Sequence, residues 1–135
     1  MTGISSTLSQ LLSHQTGLTA LISTANAYVN MGSPITVPRA GIVKIIIMGY
    51  TNSYTASWRL SLTRGGVLNI VQDQNGNVSW SSTTDTSNVF ITHNGLNAYF
   101  VIELLCLAND VIQLEGANNT AGTTIYISDM VVILQ

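Results

Sequence analysis

YTASWRLSLTR, residues 54–64, alternates without a break. Tyr54, Ala56, Trp58, Leu60 and Leu62 point one way, and Thr55, Ser57, Arg59, Ser61 and Thr63 the other. A period of two with one apolar side is the signature of a strand that buries one face and wets the other. Arg64-Gly65-Gly66 then supplies a hairpin turn, and Val67 to Gln72 reads as the returning strand. Asp73 to Asn77 (DQNGN) is a second turn, built on the hairpin dipeptide Asn75-Gly76.

Working outward, short strands are expected over Val78–Ser82 and Asn88–His93, and longer ones over Val43–Tyr50, Asn97–Leu107, Val111–Glu115 and Thr123–Leu134. Seven or eight strands with no helix between them define an antiparallel sandwich or barrel. The strands are of two kinds. Tyr54–Arg64 and Val111–Glu115 carry one apolar face. Val43–Tyr50, Asn97–Leu107 and Thr123–Leu134 are apolar on both. In the first of these, Val43, Ile45 and Ile47 oppose Ile46, Met48 and Tyr50. In the last, strict alternation sets Ile125, Ile127, Val131 and Ile133 against Tyr126, Met130, Val132 and Leu134. A two-layer sandwich buries one face of each sheet. The second face of these three strands needs a cover, from the N-terminal segment or from other subunits, and subunits are the expectation.

Upstream the spacing changes. Ile4, Leu8, Leu11, Gln15, Leu18, Ile22, Ala25 and Val29 recur in steps of four and three, a heptad seam that predicts an α-helix over residues 1–32. The sandwich is then assigned to residues 33–135. Thr7, Thr16, Gly17, Thr19 and Thr24 are poor helix formers, so packing must hold such a helix. It either docks on the chain's own sheet or forms a self-associating stalk with Gln15 as a buried polar register-setter.

Composition narrows the function classes. Of 135 residues, 46% are hydrophobic and only 7% charged, against about 25% in an ordinary soluble domain. Four basic and six acidic side chains give a net charge of −2, which excludes an electrostatic footprint for nucleic acid. One cysteine excludes an internal disulfide framework and a cysteine zinc site. Residues 1–38 lack Asp, Glu, Lys and Arg, and Ser, Thr or Gln interrupts each apolar run, so neither a cleaved leader nor a membrane span is expected.

No phosphate loop, Ser-His-Asp set or HExxH motif is present, so the expectation is a protein that is not an enzyme and uses no cofactor and no metal. His14 and His93 have no metal-ligand spacing, and Cys106, among Leu104, Leu105 and Leu107, reads as a buried inert thiol. Glu103 and Asp129 interrupt apolar strands and need partners, with Lys44, Arg39 and Arg59 the candidate cations, as in an ion pair at a subunit interface. Asn77-Val78-Ser79 and Asn118-Asn119-Thr120 match the glycosylation sequon and fall in expected turns.

The order of these motifs resembles the single jelly roll of the complement C1q and tumour-necrosis-factor-like family. Pro38-Arg39-Ala40-Gly41-Ile42-Val43-Lys44 is similar to the family's P-x-x-G-x-Y lead into a core strand, with Val43 at the aromatic position. Leu60-Ser61-Leu62-Thr63-Arg64-Gly65-Gly66 resembles its L-x-L-x-K-N-G hairpin. Leu107 to Leu114 resembles its L-x-x-G-D-x-V-x-L turn, with Asn109 in place of the glycine and the hydrophobic pattern shifted by one. Thr123–Leu134 takes the place of the last, centrally placed strand.

The resemblance implies an all-β jelly-roll sandwich whose inner sheet forms a homotrimer interface, a pentamer being the other arrangement considered. Related heads occur on viral capsids, spikes and tail fibres. The expected function is therefore a virion structural protein, extracellular, partnered by copies of itself and other virion proteins. The expected oligomer interface comprises Leu8, Leu11, Gln15, Leu18 and Ile22 from the helix, with Ile46, Met48, Tyr50, Tyr126, Met130 and Val132 from the sheet. A lectin-like or receptor-binding head is the alternative, with Tyr54 and Trp80 as candidate contacts to a host-surface glycan or receptor.

Overall fold

A computed structural model of the chain describes residues 9–51, 56–70, 91–93, 97–118 and 120–135. These form nine strands: β1 (Gln10–Ile22), β2 (Val29–Thr36), β3 (Gly41–Thr51), β4 (Ala56–Arg64), β5 (Val67–Ile70), β6 (Ile91–His93), β7 (Asn97–Cys106), β8 (Val111–Asn118) and β9 (Thr123–Leu134). One sheet runs β1-β9-β3-β7 and the other β2-β8-β4-β5, with β6 also on β4. All pairings are antiparallel. Successive strands β1 to β4 alternate between the sheets, as do β7 to β9, and the last strand lies inside its sheet. This is a single jelly-roll sandwich.

The three strands expected to be apolar on both faces, β3, β7 and β9, share one sheet, and the alternating β4 and β8 share the other. Between the sheets lie Val43, Ile45, Ile47, Ile102 and Leu104 from one side and Trp58, Leu60, Leu62, Ile112 and Leu114 from the other, all essentially solvent-free. Burial of an aliphatic or aromatic side chain of this size stabilises the fold by roughly 1.5–3 kcal/mol each. Gly65 and Gly66 both have positive φ (57° and 80°), the backbone of a tight β4–β5 hairpin. Asn109 also has a positive φ of 70°, so it occupies the left-handed turn position for which the resembling motif carries glycine.

The N-terminal helix is not found among the described residues. Gln10–Ile22 is a strand paired along its length with β9, and the expected domain boundary at residue 32 falls inside β2. Leu8 and the residues before it lie outside the described residues. The misleading heptad spacing has a physical origin at Gly17. Thr16 pairs with Asp129 and Leu18 with Ile127, so Gly17, at φ +63°, stands opposite Ser128 with the β1–β9 register unbroken. The alternation reverses here all the same: Gln15 is half-buried, Thr16 and Gly17 are both exposed, and Leu18 is half-buried again. The three-residue step from Gln15 to Leu18 therefore stays on the inward face, as it does on a helix. A four-residue step from Leu18 to Ile22 stays there in any strand. The register shift at Leu12 turns Leu11 outward.

Candidate functional site

The outward face of the β1-β9-β3-β7 sheet can be built row by row, because residues paired across antiparallel strands share a face. Ile42 lies beside Leu105. The next row is Leu11, Ile133, Lys44 and Glu103, followed by His14, Val131, Ile46 and Val101, then by Thr16, Asp129 and Met48. Tyr126 lies beyond. Leu105 is 71% exposed, Leu11 62%, Ile42 44%, Met48 39% and Val101 37%. These rows, up to four strands wide and running from Ile42 to Met48, cover roughly 19 Å by about 20 Å at ordinary strand spacings. That is about 400 Å² in projection, shared between apolar side chains and the polar ones of His14, Thr16, Lys44, Glu103 and Asp129.

Each ionisable interruption has a polar neighbour on the adjacent strand. His14 Nε2 lies 3.0 Å from Asp129 Oδ1, with the two side chains 50% and 36% exposed. Lys44 stands directly across from Glu103. Asp129 thus takes His14 rather than an arginine, a pairing that the helical reading of residues 1–32 concealed. Arg59 instead binds Glu115, with Nε 2.7 Å from Oε1, and lies over the Tyr28 ring at 3.8 Å. That pair is buried on β4 and β8, in the other sheet.

Of the expected interface residues, Leu11, Ile46, Met48 and Tyr126 reach this outward face. Met130 and Val132 do not. Met48 pairs with Asp129 while Gly49 pairs with Ile127, so Ser128 is an extra residue in β9. Beyond it the alternation inverts, placing Met130, Val132 and Leu134 in the core and Val131 and Ile133 outside. Ser128 Oγ closes the bulge by donating to the Met48 carbonyl at 3.1 Å. Ile22 is fully buried, and Leu18 packs on the same core. Gln15 faces inward beside Met130 and bonds to Ser33 of β2, so it sets register between sheets rather than between helices. Tyr50 belongs to β3, and its side chain is not described. Tyr54 and Trp80, the candidate ligand contacts, lie outside the described residues.

Two sequence motifs meet at the end of the other sheet. Arg64, from the β4–β5 hairpin, donates from Nε and Nη2 to both carboxylate oxygens of Asp110 at 2.9 and 2.7 Å. The Leu107 N–H also donates to Asp110 Oδ2 at 2.7 Å. Burial pushes the Asp110 carboxyl up, but Arg64 and the Leu107 amide outweigh it and hold the group below its ordinary value. Burial first, and the nearby Asp110 carboxylate second, push the Cys106 thiol up to about 12. Among the described residues, no group of three or more His, Cys, Asp or Glu is arranged to hold a metal ion.

Topology and register thus define a jelly-roll head with an apolar outer face on one sheet. No family model matches the chain, and no curated protein matches it. Among solved structures it is similar to Eiger TNF from S. frugiperda, with TM-score 0.48 and 11% identity over 90% of this chain and 93% of that one. It is also similar to murine APRIL, with TM-score 0.43 and 10% identity over 86% and 99% of the two chains. A third is the CBM36-1 domain of a multidomain xylanase from the hindgut metagenome of Trinervitermes trinervoides, with TM-score 0.40 and 10% identity over 89% and 96%.

Proposed function

We propose that this chain is a non-enzymatic structural subunit of a virion, extracellular, that assembles as a homotrimer through the outward face of the β1-β9-β3-β7 sheet. The observation that carries the reading is the set of apolar side chains on this outward face, Ile42, Ile46, Met48, Val101, Val131, Ile133 and Leu105. A second copy of the chain is the occupant that its charges favour. Lys44 stands across from the opposite charge of Glu103 and the Asp129 carboxylate is hydrogen-bonded to His14, so like faces meet without a large excess of either sign. Removing this apolar area from water supplies the driving force. The virion assignment rests on the jelly-roll motifs and on the near-absence of charge, and it brings other virion proteins as further partners.

Light scattering on the full chain tests the assembly. The wild type is expected at three times the chain mass, and Val101→Asp with Leu105→Asp at the monomer mass with the fold retained. A monomeric wild type overturns the reading. Recovery of the chain in particles purified from its source tests the virion assignment, and particles that lack it overturn that part.

A further inference from the structure

Among the described residues, β7 pairs on one side only, with β3. The pairing runs from Cys106 on Gly41 to Asn97 on Tyr50 without a register shift, and β7 contains neither Gly nor Pro. The N–H and C=O groups of its alternate residues therefore point away from β3 along the whole strand, an arrangement that templates a further strand. The other described edges are blunted. β1 turns at Gly17 and shifts register at Leu12. β2 bulges away from β8 between Met31 and Ile35, carries Pro34 there, and has its Ser33 peptide taken by Gln15. β5 and β6 have only four and three residues. On its outward side β7 presents Val101, Glu103 and Leu105, all exposed, and none of the described ion pairs uses Glu103.

We propose that the β7 edge binds an extended peptide segment of another protein. The segment adds a strand beside Val101–Cys106, with a lysine or arginine next to Glu103 and apolar residues next to Val101 and Leu105. Main-chain hydrogen bonds hold such a strand, and its alternate side chains select it. Side chains of one face stand about 5 Å apart across neighbouring strands, so opposite charges there attract and like charges repel. The described strands of the chain itself do not supply this occupant. β1, β2 and β5 contain no Lys or Arg. A second β7 would bring another carboxylate and no cation. Lys44 lies on β3 and Arg59 and Arg64 on β4, strands with neighbours on both sides, and Arg39 sits between β2 and β3. The edge is separate from the outward face through which copies assemble, so the two readings stand or fall independently.

The probe is the acetylated, amidated peptide Thr-Val-Thr-Lys-Thr-Val-Thr, whose pattern reads the same in both directions. Titration of the isotope-labelled full chain, followed by NMR, reads affinity and location together. Shifts are expected on β7, with slowed hydrogen exchange at its alternate amides. Replacing the central lysine of the peptide by glutamate is expected to weaken binding about threefold to tenfold, and Glu103→Lys in the chain to reverse that preference. Two further peptides carry N-methyl groups, one on its threonine nitrogens and one on its valine and lysine nitrogens. A strand turns alternate N–H groups to opposite sides, so one is expected to lose binding and the other to keep it. No shift at millimolar peptide, shifts centred on another strand, an unchanged preference in Glu103→Lys, or equal affinity of the two methylated peptides overturns the proposal. So does protection of β7 that rises with chain concentration in the absence of peptide, which assigns the edge to a second copy.

Discussion

The Gln15 side-chain amide brackets the Ser33 peptide: Oε1 accepts the Ser33 N–H at 2.8 Å, and Nε2 donates to the Ser33 carbonyl at 3.1 Å. The bracket stands where β2 loses its own partner. Met31 pairs with Leu114 and Ile35 with Ile112, so the residues between them bulge away from β8. Gln15 satisfies the backbone groups released there and ties one sheet to the other. Gly32, at φ +76°, makes room, since a Cβ would strike Gln15 Oε1 and Leu18 Cδ1.

Replacing Gln15 with Ala is expected to cost about 1–2 kcal/mol, the loss of two modest hydrogen bonds at a partly exposed site. Gln15→Glu is expected to cost at least as much, because its second oxygen meets the Ser33 carbonyl. Urea denaturation measures both, and an unchanged midpoint for Ala contradicts the bracketing role.

The left-handed backbone of Gly17 permits a purely backbone test, because nothing lies within 4 Å of where its Cβ would stand. Gly17→Val is expected to cost about 1–2 kcal/mol for the left-handed conformation, and Gly17→Asn clearly less, since Asn tolerates it. Equal melting temperatures for the two variants contradict the left-handed conformation at this position.

Much of the sandwich was legible because period two survives burial: β4, β7, β8 and β9 lie within a few residues of their expected limits. Both failures trace to one level of the sheet, where Gly17 stands opposite Ser128 and the alternation reverses in both strands. Gly17 made β1 imitate a heptad, and Ser128 exchanged Met130 and Val132 for Val131 and Ile133. A bulge is fixed by the pairing of distant strands, so local spacing does not reveal it. One signal did contradict the helix: Thr16, Gly17, Thr19 and Ile22 disfavour a helix, and the β-branched ones favour a strand. Asn109 and the Gly65-Gly66 pair, by contrast, were readable because their conformations are local. The His14–Asp129 pair, 115 residues apart, depends on the β1–β9 register and had no local signature.

Asp110 sets an acid limit on the fold. Its carboxyl is held below its ordinary value by Arg64 and the Leu107 amide, against the upward push of burial. A depressed carboxylate stabilises the native state above the unfolded value of about 3.9 and loses that contribution as pH falls through the lower folded value. Asp110→Asn is expected to lower stability by about 1–3 kcal/mol at neutral pH and to flatten the acid limb of the stability profile. Wild type and variant differing equally at pH 7 and pH 2 (about two units below the free carboxylate) contradicts the linkage.

Cys106, buried and with its thiol pushed up to about 12, is expected to resist alkylation in the native chain at pH 8 and to react fully in denaturant. Mass spectrometry after iodoacetamide treatment reads the modification. Rapid labelling of the native chain contradicts the burial of this strand.

The outward face itself is tested most directly by a photo-reactive side chain placed at Met48, compared with one at Val67, which is exposed on β5 of the other sheet. Assembly through the β1-β9-β3-β7 sheet predicts covalent dimers and trimers from position 48 and monomer from position 67. Cross-linking from position 67 with none from position 48, or monomer from both, contradicts it.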